Sequence, residues 1–363
     1  VNEKLNQYHL CLLIYMIQSG LAILTLPRIV AESFGTNGWI VIIVCSLAAS
    51  AHIWLISLVY RQSGGRSVFD ILEQSIHKAV LFPIYAVLAI LWILIGCLVL
   101  KQYILILQMS TYQTANPMVF KLVCDVLIFL MLLKGIYNIT KVATVFYYLS
   151  FWILFLSFLL MDDFRWERVT PFLFAEGNPS LMDWLEVYIA FLGYELALFL
   201  FPYVSRKTKF TRAVLIGNGI VTVVYLVTVI LAYGFFSFEQ LRHLVYPVMD
   251  MLAYVELPFV ERIENLLFSL FLYKIFITTA LYCWVAVETL ERMFQKVRRN
   301  MLSFVVMIAG YMISFIPKVT SEIRQWLLVL SSAQVGATVM LTLILLGLVY
   351  FQIRRNRRKQ SNA

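Results

Sequence analysis

The sequence predicts an all-α integral membrane protein of ten transmembrane helices, arranged as two inverted sets of five with the first helix of each set broken. Three observations carry this prediction. Of 363 residues, 62% are hydrophobic and only 13% charged, far from the roughly 45 to 50% apolar usage of soluble domains. Apolar runs recur along the whole chain at the length of about 20 residues that a bilayer core requires. Polar interruptions bearing Gly and Pro fall at corresponding places in the two halves.

In order, the spans are expected near 8–33, 38–60, 79–108, 118–135, 139–161, 184–204, 211–236, 258–290, 300–317 and 325–353. The first run carries Arg28 and lacks a small-residue cleavage site, so it reads as a retained span rather than a signal peptide. The chain reads as a single transmembrane domain over 1–363, with repeat one near 8–161, repeat two near 184–353 and a basic tail at 354–363. Alternate loops differ in charge. One side collects nineteen Lys and Arg, from Lys4, Arg61, Arg66 and Lys78 through to the tail, against Lys121, Arg165, Arg168, Arg242, Lys318 and Arg324 on the other. The positive-inside rule then predicts cytoplasmic N and C termini.

The net charge of +9 is explained by this asymmetry, so no nucleic-acid partner is expected. Cys11, Cys45, Cys97, Cys124 and Cys283 all lie in apolar runs without metal-ligand spacing and read as small hydrophobes. The sequence contains no G-x-S-x-G, no phosphate-binding G-x-x-x-x-G-K-[ST] and no H-E-x-x-H, so neither an enzyme nor a cofactor is expected.

Two loops have helical patterns. Residues 67–78 open with Ser67-x-x-Asp70, a capping pattern, and place Val68, Ile71, Leu72 and Ile76 on one face. Residues 239–255 repeat apolar positions from Leu241 to Val255, which suits a helix capping an outward vestibule or simply lying in the interface. Glu261 and Arg262, with Glu264, stand at the outer mouth of the eighth span as a gating ion-pair network or a solvated helix end.

An odd number of helices per set forces the two sets into opposite orientations. In the first half, Gln18, Ser19 and Gly20 interrupt the first span and Pro27 follows; in the second, Gly193, Tyr194 and Glu195 interrupt the sixth and Pro202 follows. Hydrocarbon cannot satisfy the N–H and C=O groups that a broken helix frees, so such breaks line protein or a wet cavity. Half-helix N-termini then favour a carboxylate, and unwound carbonyls a cation or ammonium. A carboxylate at mid-bilayer costs about 2.5 to 3.5 kcal/mol on insertion scales, which points Glu195 inward, as a ligand or proton acceptor. The structural alternative is that Gly193 only permits close packing while Glu195 pairs with Lys101 or Lys274. Lys274 is the more central of these two lysines and is the candidate for proton or ion coupling, or else a fixed counter-ion to Glu195 or Asp125. His52 reads as a hydrogen-bonding group between helices, and Arg28 as a partner of Glu32 one turn away.

The early "LTLPRIVAESFGTNGWI", the mid-chain "GYELALFLFPYV", the "PFVERIENLLF" stretch and the basic C-terminal tail, in this order, resemble the B-subunit family of bacterial spore germinant receptors. That family is a branch of the amino acid-polyamine-organocation transporter superfamily. The resemblance implies a LeuT-like five-plus-five fold in the inner membrane of the dormant spore. It also implies assembly with an A subunit and a lipoprotein C subunit, and recognition of a small nutrient such as an amino acid or a sugar. Carried onto this chain, the implied pocket is lined by Gln18, Ser19, Gly20 and Thr25 with Gly193, Tyr194 and Glu195. A proton-coupled amino acid permease is the alternative function.

Overall fold

The computed structural model describes residues 4–361 except 112, 170–174, 206 and 256–262. Glu261 and Arg262 therefore lie outside the described residues. The described residues form helices joined by turns, and the only extended pairing among them is an isolated parallel bridge between Leu5 and Val204.

The first helix, α1 (Gln7–Gln18), starts at Asn6, whose side chain accepts from His9 N at 2.9 Å, and ends at Ser19. Gly20, at φ −80° and ψ −124°, takes the chain out of helix; a 3-10 turn, Leu21–Leu24, follows. Helix resumes as α2 (Leu26–Phe34) with Pro27 in its first turn, where the missing N–H costs nothing. Next come α3 (Trp39–Ser63), stopped by Gly64 in the left-handed region, the short α4 (Val68–Glu73) and the long α5 (Lys78–Ser110). In α6 (Pro117–Phe151), Gly135 stands at φ 77° and ψ 174°, so the helix breaks where the sequence separates the fourth and fifth spans. After α7 (Ile153–Leu156) the chain passes through two 3-10 segments, 157–163 and 166–168.

The second half repeats the opening device. Helix α8 (Leu181–Ile189) carries a full capping box between Ser180 and Asp183, gives way to turns over 190–193, and continues as a 3-10 segment, Tyr194–Tyr203. Then follow α9 (Phe210–Phe235), two short helices α10 (Phe238–His243) and α11 (Pro247–Ala253), α12 (Ile263–Met293), α13 (Arg299–Ile313) and α14 (Thr320–Ser361).

Among the described residues, α3, α5, α9, α12 and α14 are each long and apolar enough to cross a membrane, and α8 with Tyr194–Tyr203 makes a sixth candidate bent by 40°. Helix α12 is the central post: 78% of its apolar window is buried, against 28% for α14, whose outer face is left for lipid. One continuous apolar core runs from Leu5 to Val349. Large apolar side chains stay exposed along the outward faces, such as Leu47 and Trp54 on α3 and Val119, Val123, Val126 and Leu130 on α6. In water such faces would aggregate; in a bilayer they meet a solvent of their own polarity.

Two local expectations are corrected. The helix expected over 67–78 is confined to Val68–Glu73, Ser67 makes no side-chain cap, and the Asp70 carboxylate pairs with Arg292 at 2.8 Å. Its apolar face, Val68, Phe69, Ile71 and Leu72, is buried. The helix expected over 239–255 is divided in two, since Pro247 cannot continue a helix begun before it and instead opens α11.

Candidate ligand-binding site

The two breaks meet. A Cβ built on Gly193 would lie 2.5 Å from Ile17 Cγ2, so only glycine, here at φ 120°, lets the second break close onto the first. Gln18, 2% exposed, donates its amide Nε2 to Phe191 O at 2.5 Å and to Asn218 Oδ1 at 3.0 Å. Those two acceptors fix the amide's orientation. Its Oε1 is buried with no partner among the described residues, and so is the neighbouring Ser19 Oγ.

The carbonyls released by both breaks are claimed by side chains from flanking helices, as buried backbone requires. Tyr225 OH lies 2.6 Å from Gln18 O and 2.9 Å from Ala190 O, so a single hydroxyl on α9 serves both. Thr278 on α12 donates to Ile17 O at 3.2 Å. Asn218 reaches across to Ser50 Oγ on α3 at 3.1 Å.

Glu195 is fully buried and is held by neutral donors. Gly193 N donates to its Oε2 at 2.7 Å, while Gln334 Nε2 and Tyr282 OH donate to Oε1 at 2.5 and 3.3 Å. No Lys or Arg among the described residues bridges it, so the fixed ion pair with Lys101 or Lys274 is not formed. Lys101 Nζ instead meets Met118 Sδ at 3.0 Å. Lys274 Nζ donates to Tyr15 OH at 3.3 Å and lies over the Tyr15 and Phe271 rings, each at 5.2 Å. Asp125 pairs with Lys121 at 2.5 Å; Lys121 is fully buried in α6 rather than placed in a loop. Next to Glu195, Tyr194 OH bonds Tyr188 OH at 2.5 Å and His52 Nδ1 at 2.9 Å, and His52 Nε2 continues to Thr342 Oγ1 at 3.0 Å.

A cavity of about 160 Å³ opens beside this junction. The first break supplies Ile17, Gln18, Leu21 and Ala22; α5 supplies Ile95, Val99 and Gln102; α8 and its break supply Glu186, Ile189, Ala190 and Leu192. Thr278 and Tyr282 of α12 and Arg324, Leu327, Leu328 and Ser331 of α14 complete it. The size suffices for a small molecule, since a cavity of about 150 Å³ admits benzene. At its half-buried rim, Arg324 Nη2 and Glu186 Oε1 form an ion pair at 2.8 Å.

Of the residues singled out in the sequence, Gln18 lines the cavity and Ser19 and Gly20 are its neighbours in the break; Glu195 is one step removed, bonded to the lining residue Tyr282, while Gly193 and Tyr194 are not among the lining residues. Thr25 and Lys274 are not brought to it: Thr25 Oγ1 turns back to Ala22 O at 3.4 Å, and Lys274 faces Tyr15. Sequence reasoning missed Asn218, Tyr225, Tyr282, Gln334, Glu186 and Arg324. One signal was present: Ser331, Gln334, Thr338 and Thr342 form a polar stripe at helical spacing within an apolar run, and all four are buried. Among the described residues, no group of three or more His, Cys, Asp and Glu could hold a metal ion.

Residues 4–323 match the family described as "Spore germination protein". The chain belongs to the spore germination protein family. It is similar to spore germination protein A2 of Bacillus subtilis, 25% identical over 308 residues that cover 80% of this chain and 81% of the relative. Spore germination protein GerLB of Bacillus cereus is 23% identical over 352 residues, covering 93% and 91%. Among solved structures, the chain resembles MhsT in complex with L-phenylalanine, at TM-score 0.66 and 15% identity over 94% of this chain and 89% of that one. It also resembles Mhp1, a nucleobase-cation-symport-1 family transporter, at TM-score 0.62 and 15% identity over 98% and 80%. The chain is thus an all-helical membrane protein whose fold is that of MhsT and Mhp1, and its family does not point to an enzyme.

Proposed function

We propose that this chain is the membrane subunit of a spore nutrient receptor, binding a small nutrient such as an amino acid or sugar in the cavity between its two broken helices. In this reading it is a single domain of ten spans, with both termini cytoplasmic, in the inner membrane of the spore, and it works with an A subunit and a lipoprotein C subunit. The observation that carries the proposal is Gln18 Oε1. A buried acceptor without a donor costs on the order of 1 to 3 kcal/mol, and a ligand N–H or O–H arriving in the cavity it lines would remove that cost. Arg324, at the rim, offers a cation to a ligand carboxylate once its bond to Glu186 opens. Family membership and the likeness to a structure holding L-phenylalanine support the same reading. Ligand occupancy would signal by binding one of two conformations more tightly than the other.

A second reading, a proton-coupled amino acid permease, is favoured by Lys274, a buried amine with no carboxylate partner among the described residues. One experiment separates the two. The purified chain is titrated with amino acids and sugars, and the same protein in vesicles is tested for gradient-driven uptake. Binding that weakens more in Gln18→Leu than in Glu195→Gln, with no flux, supports the receptor. Flux abolished by Lys274→Gln supports the permease, and absence of binding to every nutrient tried removes the receptor reading.

A further inference from the structure

At the opposite, basic end of the bundle lies a second cavity, of about 420 Å³, between α4, the start of α5 and the turn after α12. It is distinct from the nutrient cavity and shares no residue with it. Its wall combines two chemistries. Leu81, Phe82, Met293, Phe294 and Val297 are apolar, whereas Lys78, Arg292 and Lys296 are cationic. Arg292 is already engaged, by Asp70 at 2.8 Å and by Glu73, the one carboxylate in the lining, at 3.9 Å. Lys78 and Lys296 are exposed and have no partner among the described residues. Tyr85, 4% exposed, lines the same cavity, and its hydroxyl has no hydrogen-bond partner among the described residues. A buried phenol normally finds a partner, so this one marks a place where an acceptor belongs.

We propose that this cavity holds the phosphate headgroup of an acidic phospholipid, accepting from Tyr85 OH and neutralised by Lys78 and Lys296. A phosphate supplies several strong acceptors and the negative charge that the two free ammonium groups lack. The lipid source is favoured over a soluble phosphate because two exposed aromatic side chains, Phe82 and Phe294, stand at the cavity mouth, where acyl chains would lie. Phe82 and Phe294 pack edge to face at 6.1 Å as the cavity's apolar lip. The ends of membrane helices where Lys and Arg gather are also where anionic headgroups are attracted.

The test uses the full chain purified in detergent and exchanged into nanodiscs of phosphatidylcholine with a titrated fraction of phosphatidylglycerol, with bound lipid counted by native mass spectrometry. Phosphatidylglycerol should be retained about tenfold more tightly than phosphatidylcholine, a ratio equal to about 1.4 kcal/mol. Tyr85→Phe should lower that preference severalfold with its thermal midpoint unchanged or raised, since the orphan hydroxyl is removed. Lys78→Gln/Lys296→Gln should lose the preference. Equal retention of the two lipids, or a preference indifferent to Tyr85→Phe, overturns the proposal. Displacement of the bound phosphatidylglycerol by millimolar glycerol phosphate would assign the site to a free phosphate and overturn the lipid assignment.

Discussion

The two breaks begin alike and end differently. After Gln18 the first helix loses its path for one 3-10 turn and resumes as α2; after Ile189 the second never regains α-helix and runs as a 3-10 segment to Tyr203. Their polar groups differ in the same sense. At the second break Ala190 O, Phe191 O, the Glu195 carboxylate and the Tyr194 hydroxyl all have protein partners. At the first, Gln18 Oε1 and Ser19 Oγ have none among the described residues. A fully bonded polar network is rigid, while an incomplete one retains unmet demand. In the proposed reading the second break is the scaffold and the first is the side that meets the ligand.

The strongest way to break this contrast is Gly193→Ala. Its methyl would strike Ile17 at a φ that L-residues avoid, and a loss on the order of 3 kcal/mol follows. Thermal unfolding in detergent measures it, and a wild-type midpoint would show that the scaffold is not tightly seated. Next in size is Tyr225→Phe, which leaves Gln18 O and Ala190 O to share no donor, at a cost of about 2 kcal/mol. Because that hydroxyl joins both breaks, combining it with Gln18→Leu should give a non-additive loss, and strict additivity would mean that the breaks are uncoupled. Gln18→Leu by itself should weaken nutrient binding more than it lowers stability, whereas Glu195→Gln should do the reverse; equal effects on both would erase the distinction between reader and scaffold.

How much of this was legible beforehand follows the same physics. Broken helices announce themselves through Gly20, Pro27, Gly193 and Pro202, because few other residues tolerate those backbone states within hydrocarbon. The positions of α3, α5, α9 and α14 were readable as apolar runs, and the boundary between the fourth and fifth spans as a point near 135, where Gly135 breaks α6. What stayed hidden were the residues answering the breaks. Tyr225, Asn218 and Tyr282 sit in helices distant in sequence, and nothing in a single apolar run says which face turns toward another helix's exposed carbonyl. Lys274 shows the converse: a buried amine is visible in sequence, but its neighbour could be Glu195, Asp125 or, as found, the Tyr15 hydroxyl and two rings.

The rim offers a smaller test. Glu186→Gln removes one charge of a half-exposed pair worth under about 1 kcal/mol, so the midpoint should hardly move. Ligand dissociation should nevertheless quicken in stopped-flow measurements if the pair closes the cavity; unchanged rates would leave the pair a surface feature.

A similarly small effect belongs to the N-terminus of α8, which aims the scaffold break. Ser180 Oγ and Ser180 N donate to the Asp183 carboxylate at 2.6 and 2.7 Å and close the capping box. Asp183→Ala should lower the thermal midpoint by an amount equal to about 0.5 to 1 kcal/mol. An unchanged midpoint would leave the direction of α8 to packing of Trp184 against Phe34, whose rings meet edge to face at 4.9 Å.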